Sequence, residues 1–143
     1  MPATTCGSTD RNTIAVVGVH VKRLATTGVK GIDGLPGVIL PFPGGVVRSG
    51  SKVGARNYKG MIASTNDAYC PTVRPRTTSE LPDGVNAVLE IVLDGLDATS
   101  INRALRAGID AACRPGVTAI GAGNYGGKLG PYHFHLRQVM ADE

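Results

Sequence analysis

The chain has 143 residues, 42% of them hydrophobic and 18% charged. At roughly 100 to 200 residues per domain this gives room for one core and not for two. No apolar run approaches the ~20 residues that a bilayer-crossing helix requires, and a formal net charge of +4 with a pI near 9.2 directs attention to anionic partners.

The first ten residues lack the basic and apolar regions of a secretory signal, so a cytoplasmic location is expected. Cys6, Cys70 and Cys113 are odd in number and widely spaced, which fits neither a disulfide framework nor a paired-cysteine metal site; reduced thiols are expected. With 20 glycines and 9 prolines, much of the backbone is expected in turns and ordered loops.

Residues 13–21 are rich in Val, Ile and Ala and read as a strand, followed by a helical stretch over 21–29 that ends near Gly31 and Gly34. Val38-Ile39-Leu40 reads as a short buried strand, closed by Pro41-Phe42-Pro43-Gly44-Gly45. A glycine-, serine- and arginine-bearing loop runs on to Lys59, a short strand is expected over 61–64, and a proline-rich loop spans 68–84. Residues 85–93 are apolar at nearly every position, as in a strand buried on both faces.

Ile101, Ala104, Leu105, Gly108, Ile109, Ala112 and Cys113 then fall on one helical stripe, with Asp97 as N-cap and Pro115-Gly116 as stop. Residues 117–121 return as a strand, a second glycine loop covers 121–130, and 132–137 close as a strand. This order predicts an α+β fold: a ferredoxin-like split βαβ sandwich, with helices packed on one face of a mainly antiparallel sheet.

Between Pro41 and Ser79 stand Arg48, Lys52, Arg56, Lys59, Arg74 and Arg76 against the single acid Asp67, a locally positive surface that concentrates anions. A nucleic acid, a polyanionic small molecule and a merely solubilising face all fit that charge. The first is disfavoured by two Phe, four Tyr and no Trp, too few for a stacking platform.

The segment from Gly121 to Lys128 fails as a nucleotide-phosphate loop, because Leu129 follows the lysine and a strand rather than a helix is expected after it. His133 and His135 would share a strand face, but two nitrogens without a third ligand do not make a zinc site. Glu90 stands out. Alternation puts it with Val88 and Val92, a place where desolvation favours the protonated carboxyl unless Lys52 or an arginine approaches. A carboxyl held that way can donate to a developing oxyanion or shuttle a proton. The pattern alone also allows a buried ion pair or a solvated edge position. Asn66 and Asp67, beside Tyr69 and Cys70, are polar candidates that turn chemistry would also explain.

Several long blocks agree in order and spacing with one family. Pro41-Phe-Pro-Gly-Gly45, Ser49-Gly-Ser-Lys-Val-Gly54, Ala63-Ser-Thr-Asn-Asp-Ala-Tyr-Cys-Pro71, Leu81-Pro-Asp-Gly-Val85, Glu90-Ile-Val92 and Ala122-Gly-Asn-Tyr-Gly-Gly-Lys-Leu-Gly130 together resemble formylmethanofuran:tetrahydromethanopterin formyltransferase. The likeness covers about residues 28–136 and corresponds to the C-terminal lobe, leaving 1–27 as a divergent N-terminal segment and 28–143 as the lobe.

The resemblance implies a cytoplasmic enzyme of one-carbon metabolism that moves a formyl group between N-formylmethanofuran and N5 of tetrahydromethanopterin. These carrier substrates are its small-molecule partners. It implies no tightly bound cofactor, no metal, no nucleic acid and no membrane, and it implies a homo-oligomer or association with an N-terminal lobe. On the same ground Glu90 would be catalytic, and Ser51, Lys52, Asn66, Asp67, Tyr69, Asn124 and Lys128 would bind substrate. Carriers bearing several anionic groups would suit the basic, glycine-rich segment.

Overall fold

The computed structural model describes residues 13–18, 21–48, 67–122 and 134–141. In chain order the elements are β1 (Thr13–Gly18), α1 (Val21–Ile32), β2 (Val38–Ile39), β3 (Val47–Arg48), β4 (Ala87–Val92), β5 (Asp94–Gly95), α2 (Ala98–Ala112), β6 (Val117–Ala122) and α3 (Leu136–Ala141). Tight 3-10 turns occupy Pro43–Gly45, Asp67–Tyr69 and Pro71–Arg76. The fold is therefore mixed helix and strand.

Among the described residues, four strands form an antiparallel sheet in the order β3-β4-β1-β6. Val88, Ile91 and Val92 supply the β-branched side chains that favour a pleated, half-buried surface. The two sides of β4 differ in what covers them. Leu89, Ile91 and Leu93 join the apolar stripes of all three helices in one core, with Ile91 and Leu93 fully buried. Val88 belongs instead to a smaller cluster with Leu81 and Val85, so the chain between the 3-10 turns and β4 lies over the other side. A register shift between Val17 and Gly18 lets Val117 join the helix-side core.

The helices are set by spacing and caps. Leu24, Ala25, Val29 and Ile32 follow the i, i+1, i+5, i+8 positions of one apolar face on α1, which runs to Ile32. Asp97 Oδ1 accepts from the Ser100 amide at 2.7 Å and so satisfies one of the orphan donors at the start of α2. The two helices cross closely because α1 carries glycine at the crossing. A Cβ on Gly31 would stand 2.8 Å from Ala111 Cβ and 2.9 Å from Ala107 O. A Cβ on Gly28 would stand 3.0 Å from Ile91 Cδ1, which shows how near α1 lies to β4.

Two expectations are corrected. Of the stretch 132–137, the described residues 134–137 do not form a strand: α3 begins at Leu136, and Val139 N donates to His135 O at 2.9 Å. Leu136, Val139 and Met140 sit at helical spacing and reach the core on one side, which a strand would not allow. His135 precedes that helix, and His133 lies outside the described residues. Val38 and Ile39 do form a strand, but among the described residues β2 pairs only with β5, in a separate two-stranded ribbon, and Ile39 is 65% exposed. The strand expected over 61–64 lies outside the described residues.

Candidate active site

Glu90 is 6% exposed on β4, a strand paired on both sides, so its carboxyl is not a solvated edge group. It pairs in register with Val47 of β3 and Ala15 of β1, and Ala15 pairs in turn with Gly121 of β6. That row across the sheet carries no large side chain beyond Val47 and the glutamate itself. Glu90 is not without a partner, as a buried charge-bearing group requires. The same strand alternation that sends Leu89 and Ile91 into the helix-side core leaves Glu90 on the side of Val88.

That side is covered by an ordered segment rather than a free loop. Glu80 N donates to Ala68 O at 2.9 Å, and Ser79 Oγ donates to the same carbonyl at 3.4 Å. Leu81 N donates to Ser79 Oγ at 3.3 Å. Arg74 Nη2 donates to Pro82 O at 3.3 Å and Val85 O at 3.1 Å, tying the second 3-10 turn to the start of β4. Buried Cys70 places its Sγ 3.2 Å from Thr72 Oγ1. Backbone groups that would otherwise be stranded above the sheet are satisfied within the segment itself.

Tyr69 packs against the Leu81, Val85 and Val88 cluster, and its hydroxyl donates to Glu80 Oε2. The hydrogen bond to Glu80, aided by burial and by the carboxylate's charge, pushes the phenol up to about 12. Tyr69 thus packs over the side of β4 that also carries Glu90.

Asp67 begins the 3-10 turn that carries Tyr69. Ser51, Lys52, Asn66, Asn124 and Lys128 lie outside the described residues. The strands that lead to them are described. β3 ends at Arg48, opposite Leu89, three residues before Ser51, and β6 ends at Ala122, opposite Ile14, two residues before Asn124. Arg48 lies on the strand next to Glu90 and one row away, whereas Ala122 lies one row away on the far edge, two strands across.

Two features escape a reading of the sequence alone. Arg74 counts as a cation in the basic stretch, yet its Nη2 is turned to the backbone carbonyls of Pro82 and Val85, and its Nε is buried without a hydrogen-bond partner among the described residues. Glu80 stands one residue past that stretch and brings a carboxylate to Tyr69. Among the described residues no cluster of three or more His, Cys, Asp or Glu side chains is gathered as a metal site would need. Among the described residues no helix is long and apolar enough to cross a membrane.

Residues 14–139 match the family model described as FTR, proximal lobe. The chain belongs to that family. A formylmethanofuran–tetrahydromethanopterin formyltransferase of Methylobacillus flagellatus is 60% identical over 111 residues, which are 75% of this chain and 36% of the relative. The protein of the same name from Methanopyrus kandleri is 53% identical over 117 residues, 81% of this chain and 38% of its own.

Two solved structures share the fold of this FTR lobe at a TM-score of 0.78 and 46% identity. One is the formyltransferase/hydrolase complex of Methylorubrum extorquens with methylofuran, matched over 92% of this chain and 44% of that chain. The other is the formylmethanofuran:tetrahydromethanopterin formyltransferase of Methanosarcina barkeri, matched over 89% and 44%. The chain spans well under half the length of the relatives it matches.

Proposed function

We propose that this lobe belongs to an enzyme that transfers a formyl group between N-formylmethanofuran and N5 of tetrahydromethanopterin, with Glu90 as its proton carrier. The observation that carries the reading is the 6% exposed carboxyl on a central strand, inside the matched family segment and beside the Ala15 and Gly121 positions. Relatives from a methylotroph and a methanogen bear the name of this reaction, and a complex with methylofuran is among the structures of similar fold.

The N5 lone pair attacks the formyl carbon, the carbonyl π pair moves to oxygen, and a tetrahedral intermediate forms. Its collapse breaks the bond to the furan-side amine. The proton that N5 loses must reach that departing nitrogen, and one carboxylate can accept it first and return it next. Backbone N-H groups aimed at the oxyanion lower the barrier further, and holding both carriers together removes the entropic cost of their encounter. Ser51, Lys52, Asn66, Asp67, Tyr69, Asn124 and Lys128 would position the carriers, with Lys52 and Lys128 facing their anionic groups.

The strand order supports the ferredoxin-like reading: with β1, β3, β4 and β6 taken as first to fourth, the sheet runs second, third, first, fourth. We place the lobe over 14–139, so that the segment 1–27 set apart by sequence contributes β1 and the start of α1. The complete enzyme would pair this lobe with an N-terminal lobe in a homo-oligomer and act in the cytoplasm. The test is formyl transfer by the purified chain, alone and mixed with a separately expressed N-terminal lobe of a relative. Transfer to the tetrahydropterin in either sample supports the reading. A folded chain inactive in both supports a non-catalytic, carrier-binding or assembly lobe instead.

A further inference from the structure

The Tyr69 hydroxyl and the Glu80 carboxylate meet across eleven residues of chain. The contact lies at the surface, with Glu80 exposed, but the segments that carry it are joined at Ala68 by Glu80 N and Ser79 Oγ. The ring is fixed as well, packed on Leu81, Val85 and Val88. Among the described residues no Lys, Arg or His forms an ion pair with Glu80, and Arg74 donates to the carbonyls of Pro82 and Val85.

A phenol has one proton to donate and two lone pairs to accept with. Once its proton is committed to a carboxylate, only the lone pairs are left for a ligand, and the adjacent negative charge disfavours a second anion. The group that meets Tyr69 must therefore be an N-H or O-H donor. This corner is chemically opposite to the basic stretch, which suits the anionic tails of the carriers. Of the two ends a carrier presents, a reduced pterin ring is rich in N-H donors.

Resting on the formyl-transfer reading, we propose that Glu80 is a positioning residue that determines specificity: it holds Tyr69 as a hydrogen-bond acceptor for the N-H-bearing ring of the tetrahydropterin carrier. Tyr69 stays neutral and so keeps its proton on Glu80 at any physiological pH.

The experiment uses the whole chain and two readouts. Difference titration of phenol absorbance against Tyr69→Phe isolates this tyrosine; it should ionise near pH 12 in the parent and fall toward 10 in Glu80→Met. Calorimetry with tetrahydromethanopterin and, separately, N-formylmethanofuran then reads the specificity. Glu80→Met and Tyr69→Phe should each weaken tetrahydropterin binding about tenfold, the loss of one hydrogen bond, and leave formylmethanofuran binding unchanged. The double variant should be no weaker than either single one, and Glu80→Gln, which keeps an acceptor, should recover most of the loss.

Additive losses, equal losses for both carriers, or no loss would each overturn the proposal, since a purely structural Glu80 would affect the carriers alike. A parent chain that binds formylmethanofuran but not the tetrahydropterin also overturns it. A parent that binds neither carrier, alone or mixed with a relative's N-terminal lobe, overturns the formyl-transfer reading and this inference together, whereas unaffected variants of a binding parent overturn only the inference.

Discussion

Substituting Gly31 by alanine tests how closely the two long helices meet beneath the sheet. Helix propensity alone favours the change, because alanine in a helix interior is better than glycine by about 1 kcal/mol. Packing opposes it. The new methyl would stand 2.8 Å from Ala111 Cβ and 2.9 Å from Ala107 O, nearly 1 Å inside the usual 3.5 to 4.0 Å carbon contact. Neither neighbour is the end of a flexible side chain, so α1 and α2 must separate.

Overfilling a packed interface costs typically 1 to 3 kcal/mol, and opening the crossing also loosens Ala25, Ile32 and Ala112, all buried in the same core. Less the propensity gain, the net expectation is a loss of about 1 kcal/mol, at most ~2. Urea unfolding followed by far-ultraviolet circular dichroism reads it as a lower midpoint at unchanged slope. Adding Ala111→Gly should recover little of the loss, because the clash with the Ala107 carbonyl persists and the new glycine costs α2 about 1 kcal/mol of helix propensity. A Gly31→Ala protein as stable as the parent, or more so, would refute the close crossing.

Three further outcomes follow from the same contacts. Leu105 is fully buried in the helix-side core, so Leu105→Ala should cost about 2 to 5 kcal/mol in urea unfolding. The Ser100 amide holds the Asp97 carboxyl below its ordinary range, so the capping contribution is present above the unfolded value of 3.8 and is lost as pH falls through the native one; Asp97→Asn should keep the cap and lose that pH dependence. Tyr69 has the opposite sign: its proton is held more tightly in the native state, so stability should fall between pH 10 and about 12, and Tyr69→Phe should remove that part of the slope.

What was legible from sequence follows the range of the interactions. α2 could be read because its apolar stripe repeats over more than three turns and its cap is three residues from the amide it satisfies. β4 could be read because it is buried on both sides. The short elements had no such redundancy. Val38 and Ile39 have the composition of a core strand, but among the described residues their partners are only Asp94 and Gly95, and the ribbon leaves Ile39 exposed. Phe134 and Leu136 are spaced by two and both buried, which mimics a strand, whereas the helical spacing of Leu136, Val139 and Met140 decides the structure.

The candidate site divides in the same way. Glu90 was visible as an acid in an apolar run, while its cover was not, because that cover comes from distant stitches at Ala68, Arg74 and Glu80. A charge count treats Arg74 as available to a ligand; only the fold shows its Nη2 turned to Pro82 and Val85.

The most direct test of the account is the rate of formyl transfer by Glu90→Gln, measured under saturating carriers in the assembly that supports transfer by the parent. The side chain keeps its volume and loses its ability to carry a proton. The account predicts a kcat lower by about a hundredfold to ten-thousandfold, the usual worth of a general acid-base group, with KM for both carriers nearly unchanged. A Glu90→Gln protein that turns over at the parental rate would contradict it.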